Sequence, residues 1–200
     1  MARNAELRFV KGHGTGNDFI LIPDYEGELE ITPEQVRGLC DRHFGLGADG
    51  VIRVVRTARV PEVASMADSA EWFMDYRNAD GSIAEMCGNG IRVMARYLVT
   101  RGHQREGIFA IDTRAGIKHL RVPAEDDISV NMGKVYDEAE EVKASTNGVT
   151  YSGFNINVGN PHAVVFTDDL SVLGSLETAP TVAPDESYPE GVNVEFVQVL

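Results

Sequence analysis

Only two stretches of this chain carry a helical stripe. Val36, Leu39 and Cys40 fall at i, i+3, i+4, and Ile91, Met94, Ala95 and Leu98 fall at i, i+3, i+4, i+7, so each set shares one helix face. The first stripe has a start signal: Thr32 at the N-cap, Pro33 at the first helical position and Gln35 placed for a capping box. The remaining apolar segments read as short strands, at residues 7–10, 19–22, 51–55, 72–76, 108–112, 117–122, 128–132, 151–158 and 163–166. In the segment 151–158, Phe154, Ile156 and Val158 share one face and Asn155 and Asn157 the other; Val192, Val194 and Phe196 alternate in the same way. Residues 11–17, with Gly12, Gly14 and Gly16, are expected to form a loop, residues 57–70 a loop or weakly helical excursion, and residues 78–82 a turn. The fold class is mixed α and β.

Two hundred residues suffice for one large domain or two small ones. The polar, acidic segment 124–127, just after Pro123, is the best boundary, dividing the chain into 1–125 and 126–200. The acids there and at Asp137, Glu138, Glu140 and Glu141 read as solvated loop and surface. A net charge of −13 argues against nucleic acid or an anionic membrane as partner. No apolar run approaches the roughly 20 residues that span a bilayer, and the N-terminus lacks the apolar core of a secretory signal. Cys40 and Cys87 make no disulfide framework and are expected to be reduced, in a cytosol. Residues 197–200 read as the middle of a strand, so the end is expected to be a cut.

Gly16-Asn17 and Gly159-Asn160 each precede an apolar strand, a faint internal echo that permits two related domains. Gly45-Leu46-Gly47-Ala48-Asp49-Gly50 matches G-x-G-x-x-G literally. A dinucleotide site needs a strand before and a helix after; here the order is reversed, and a helix-to-strand connection is expected. No His/Cys/Asp spacing resembles a zinc site, and His43, His103 and His119 read as surface or packing residues.

Cys87 stands just before the second helical stripe, in the N-cap region where unpaired N–H groups and the positive end of the dipole lie. That field stabilises a thiolate and makes a usable base. Gly88, Asn89 and Gly90 leave the helix start open to an anion. A thiol beside an anion cradle suits proton abstraction next to a carboxylate. The plainer reading makes Cys87 a buried small residue and the glycines mere turn formers; the residues alone leave both open. Cys40, on an apolar helix face, reads as core.

Asn78-Ala79-Asp80-Gly81-Ser82, then Ala84-Glu85-Met86 and Cys87-Gly88-Asn89-Gly90, resemble the diaminopimelate epimerases. So do Lys11-Gly12-His13-Gly14-Thr15-Gly16-Asn17-Asp18-Phe19, the run from Cys40 to Gly50, Gly159-Asn160-Pro161-His162 and Gly191-Val192-Asn193. The five motifs stand in the family's order from about residue 9 to 196. The resemblance implies an α/β (α+β) fold of two similar barrel-like domains, each a mostly antiparallel sheet around a central helix, the second incomplete here, with the active site in the cleft between them. It implies conversion of LL- to meso-diaminopimelate in lysine and cell-wall precursor synthesis, with no cofactor, neither pyridoxal phosphate nor metal. Cys87 would be one of two opposed acid–base cysteines. Asn17, Asn78, Asn160 and Asn193 would bind substrate, Gly88 and Asn89 would hold its carboxylate through backbone N–H groups, and His162 would tune the cysteine ionisation. The partner is a small molecule, diaminopimelate, and the family allows a homodimer.

One departure stands out. The second Cys-Gly helix start and the Glu-Arg pair for the distal group do not occur in these 200 residues. The chain by itself is therefore expected to be inactive. Read without the resemblance, the plainer alternative makes Asn78 a turn residue and His162 a polar residue at a strand entry, and the residues alone leave both readings open. Two rival functions stay in view: a related cofactor-free racemase or isomerase, and a fragment that binds without turnover.

Overall fold

The second helical stripe becomes the inner face of a helix, α2 (Gly88–Thr100), whose Ile91, Met94, Ala95 and Leu98 are fully buried. The computed structural model describes residues 7–158, 161–189 and 191–199, with the backbone alone for residues 136–140. Seven strands form one sheet in sequence order: β1 (Val10–Gly14), β2 (Asn17–Pro23), β3 (Gly50–Arg56), β4 (Trp72–Asn78), β5 (Gly107–Asp112), β6 (Lys118–Val122) and β7 (Ser129–Asn131). α2 packs with residues from every one of them, Val10, Leu21, Ile52, Trp72, Ile111, Leu120 and Val130 among them. One helix meets seven successive strands only if the sheet curves round it, and the result is a half-barrel.

β2 reads as an unbroken apolar run because both its faces are covered. Phe19 and Leu21 face α2, while Ile20 and Ile22 pack with Val36 and Cys40 of α1 (Pro33–Cys40) on the outside. α1 begins as its sequence requires: Gln35 N–H donates to Thr32 Oγ1 at 3.3 Å and Thr32 N–H to Gln35 Oε1 at 2.8 Å, a complete capping box.

The Gly-rich segment is not a loop. Residues 10–14 are β1, paired antiparallel with β2, and only Thr15 and Gly16 turn, both at positive φ. Gly12 and Gly14 serve close approach instead: a Cβ on Gly12 would lie 3.0 Å from Val93 Cγ1 of α2. Spacing in sequence does not distinguish these two uses of glycine.

The chain divides into two compact units, Met1–Met132 and Gly133–Leu200. The division falls after the acidic segment 124–127, because β7 still pairs with β6 through Leu120 and Val130. The second unit holds a five-stranded sheet in the order β11-β8-β9-β10-β12, with β8 (Tyr136–Thr146), β9 (Val149–Asn157), β10 (Pro161–Phe166), β11 (Thr181–Ala183) and β12 (Asn193–Val197). Its described residues include no α-helix, only short 3-10 turns.

Residues 137–141 lie in the strand β8 rather than in a loop, with Glu141 exposed as expected; the signal for that strand is the buried alternation Val142, Ala144, Thr146 that follows. In β9 the polar face is the inner one: Asn155 is buried, while Phe154 is exposed and meets Phe166 edge-on at 6.2 Å. The final strand stops at Val197, after which the Gln198 side chain donates to Asp168 O.

The internal echo has a counterpart in topology. β2 pairs antiparallel with β1 and parallel with β3; β10 pairs antiparallel with β9 and parallel with β12. Each Gly-Asn pair thus stands before the middle strand of an equivalent trio, although Gly159 and Asn160 lie outside the described residues.

Candidate active site

Cys87 is the N-cap of α2, with extended backbone (φ −138°, ψ 118°). Its half-buried Sγ accepts from the Gly90 N–H at 3.4 Å. The Ile91 N–H is the first to reach back into the turn, to Cys87 O at 2.9 Å. The Gly88 and Asn89 N–H groups have no acceptor among the described residues, as the first N–H groups of a helix do not. Two donors and the positive end of the dipole therefore open beside a thiol. Gly90 is glycine because a Cβ there would lie 3.0 Å from Ile52 and 3.5 Å from Phe19 and Cys87 Cβ.

β2 brings Asn17 to the same place. Cys87 Sγ–H donates to Asn17 Oδ1 at 3.7 Å, and Asn89 Nδ2 donates to the same oxygen at 3.3 Å. Asn89 is held in turn by Arg92 Nη2 at 2.5 Å and Thr15 Oγ1 at 3.1 Å, both donating to its Oδ1. Asn78 ends β4 opposite Gly50 at the start of β3, at the end of the sheet where β2 begins. It closes its own turn there, with Nδ2 donating to Ser82 Oγ at 3.0 Å. Of the expected site residues, the first unit thus gathers Asn17, Cys87, Gly88 and Asn89, with Asn78 on the same rim.

In the second unit, His162 of β10 is opposite Asn193 of β12 in register. His162 Nδ1 lies 2.7 Å from Glu195 Oε1, and Asn193 Nδ2 donates to Pro161 O at 3.2 Å. Cys40 is 5 % exposed in the layer between α1 and the sheet, and burial pushes its thiol up.

Sequence reasoning missed a charged network behind Asn17. Asp49 Oδ2 accepts from Asn17 Nδ2 at 2.7 Å and from the Asp18 N–H at 3.0 Å. Arg42 Nη2 bridges Asp49 Oδ1 and Asp18 Oδ1 at 2.7 and 2.8 Å, and Lys11 Nζ adds a contact to Asp18 at 3.0 Å. The Arg42 guanidinium beside Asp18 holds its carboxyl well below the usual carboxylate range. Arg42 and Asp49 lie in and beside the G-x-G-x-x-G segment, which is indeed the connection from α1 to β3. Its signal was present as an Asp between glycines, but the partner, Asn17, is 32 positions away.

A separate cavity of about 510 Å³ opens where β1 and the residues before β7 leave α2 uncovered, lined by Gly12, Gly14, Arg92, Val93, Arg96 and Ile128 among others. No group of three or more His, Cys, Asp or Glu among the described residues is arranged to hold a metal ion. Among them, too, no helix is long and apolar enough to cross a membrane.

Comparison with known proteins decides the family. The profile of the family described as diaminopimelate epimerase matches residues 9–137. The chain belongs to the diaminopimelate epimerase family. It is 50 % identical to a diaminopimelate epimerase of Streptomyces coelicolor over 194 residues, covering 97 % of this chain and 67 % of that one. It is 44 % identical to one of Corynebacterium glutamicum, covering 98 % and 72 %. In fold it is similar to a hydroxyproline epimerase from Agrobacterium vitis, with a TM-score of 0.61 at 14 % identity over 87 % of this chain and 54 % of that one. A probable proline racemase from Agrobacterium radiobacter scores 0.58 at 14 % identity, over 80 % and 52 %. The chain thus spans about two thirds of its epimerase relatives and about half of these solved structures.

Proposed function

We propose that this chain carries one half of the acid–base pair of a diaminopimelate epimerase, with Cys87 as the group that exchanges the α-proton. What carries the reading is the meeting, at one helix start, of the Cys87 thiol with two N–H groups that lack an acceptor and with Asn17. The substrate carboxylate binds the Gly88 and Asn89 N–H groups, which places the α-carbon over Sγ. The thiolate takes the α-proton, an S–H bond forms, and the electron pair left on carbon spreads into the carboxylate. The N–H donors and the helix dipole stabilise that added charge. A proton delivered to the opposite face by a second acid completes inversion.

Asn17 and Asn78 are further substrate contacts in this reading, as are Asn160 and Asn193 of the second unit, and His162 tunes the thiol chemistry. The likeness to proline racemase-type folds shows architecture only; the 50 % identity to a diaminopimelate epimerase favours that substrate over another amino acid. Two free cysteines suit a reducing, cytoplasmic setting.

The test is binding. Titrating ¹⁵N-labelled protein with meso-diaminopimelate is expected to shift the Gly88 and Asn89 amide resonances, and proline at the same concentration is not. Equal response to proline, or no response at residues 88 and 89, would overturn the reading.

A further inference from the structure

The Asn17 carboxamide stands between Asp49 and Cys87, and only one of its two orientations suits both neighbours. A carboxylate accepts hydrogen bonds and donates none. Asp49 therefore takes the amide nitrogen, at 2.7 Å, and turns the amide oxygen toward Cys87 Sγ, at 3.7 Å. Asp49 is itself secured. The Asn17 amide and the Asp18 N–H donate to it and keep its carboxyl below the usual carboxylate value, and Arg42 fixes its other oxygen. Its backbone is pinned as well: its N–H donates to Asp18 O at 2.9 Å and its carbonyl accepts from the Ala79 N–H at 3.2 Å. Next to it, Gly50 leaves no slack, because a Cβ there would lie 2.6 Å from Arg77 O and Tyr76 Cε2.

Resting on the reading of Cys87 as the reacting thiol, we propose that Asp49 is a positioning residue that locks the Asn17 amide with its oxygen, not its nitrogen, on Cys87 Sγ. The thiol proton then has a fixed acceptor and a fixed direction. The thiolate faces an oxygen lone pair on the β2 side and keeps a single close donor, the Gly90 N–H. A thiolate with fewer donors is the stronger base toward carbon. Of the other groups around Sγ, Asn89 Nδ2 of α2 donates to the same Asn17 oxygen at 3.3 Å and supports the orientation that Asp49 imposes, its own oxygen being taken by Arg92. β4 supplies the buried Tyr76 phenol, and Met132, near Gly88, is uncharged.

Two substitutions separate orientation from charge. Asp49→Ala removes the carboxylate and leaves only the longer Asn89 contact to resist the amide turning its nitrogen toward sulfur. Asp49→Asn removes the same charge but keeps an oxygen able to accept from Asn17. The readout is the rate of Cys87 alkylation by iodoacetamide against pH, mapped by mass spectrometry, with silence of the buried Cys40 as the check on folding. The expected result is that Asp49→Ala moves the profile to lower pH and speeds alkylation at pH 7 roughly three- to tenfold. Asp49→Asn is expected to stay within about twofold of the parent chain. Equal shifts in both variants would assign the effect to charge and overturn the proposal, as would no shift in either.

A measurement on the unsubstituted chain stands if Asp49→Ala does not fold. The Asn17 side-chain amide protons, observed by ¹⁵N NMR, are expected to exchange with solvent more slowly than a free carboxamide and to move as the Asp49 carboxyl titrates. Fast exchange with no such response overturns the proposal. If Cys87 resists alkylation in the unsubstituted chain, the thiol reading fails, while the Asn17 amide still reports separately on Asp49.

Discussion

A Cβ on Gly14 would stand 3.2 Å from the carbonyl oxygen of Asn89. β1 therefore lies directly against the first turn of α2, and the strand and the site share a wall. A side chain at position 14 must push the strand off the helix or displace the helix start that presents Gly88 and Asn89. Gly14→Val is expected to lower stability by about 1–3 kcal/mol, as overpacking does. It is also expected to slow alkylation of Cys87. A urea titration checks the first and labelling kinetics the second; an unchanged midpoint would show that the strand gives way freely.

The two cysteines are expected to react very differently. Cys40 is buried and its thiol is pushed up, whereas Cys87 is half-buried at a helix start. Brief iodoacetamide treatment of the native protein should label Cys87 alone, and treatment in 8 M urea should label both, as read by peptide mass spectrometry. Preferential labelling of Cys40 in the native state would reverse the assignment.

Asp18 makes part of the stability depend on acid. Its folded carboxyl is depressed by Arg42 and Lys11. Its contribution is therefore fully present above the unfolded carboxylate value of about 4 and is lost as pH falls below that toward the folded value. The pair faces solvent on the Arg42 side, so the contribution at pH 7 is about 1 kcal/mol. Urea midpoints of the parent and Asp18→Asn should differ by a constant amount from pH 7 to about pH 5. The difference should then begin to narrow as pH falls below about 4 toward the folded value; a difference unchanged from pH 5 down to pH 3 would remove Asp18 as the cause.

Residues 1–200 acting alone are expected not to invert diaminopimelate. Inversion needs an acid and a base on opposite faces of one carbon, and the only cysteine besides Cys87 is buried beneath α1. Loss of one such group costs roughly 10²–10⁴-fold. Incubating the chain with one stereoisomer in deuterated water, and following chirality and label separately, checks this. Rapid inversion would show that a group set aside here, such as His162, completes the pair.

Much of the first unit was legible without coordinates because its signals are local. The capping box at Thr32, the stripe on α2, the cysteine at its start and the apolar strands 19–22 and 51–55 each depend on residues a few positions apart. What failed were positions whose meaning comes from a distant neighbour. Gly12 and Gly14 looked like loop glycines because Val93 and Asn89, which crowd a side chain there, are 75–81 positions away. The acid run before Val142 hid a strand, since charge says which residues are solvated and nothing about whether the backbone pairs.

Sequence by itself determined the family, the helix α2 and the cysteine that stands at its start: side-chain chemistry and short spacing carry that information. Tertiary structure alone decided that β1 closes against α2 and that Asn155 rather than Phe154 faces inward. It alone brought the Asp49 carboxylate onto the Asn17 amide. These are matters of which distant groups come within hydrogen-bond or van der Waals reach, and a curved sheet around one helix sets that reach.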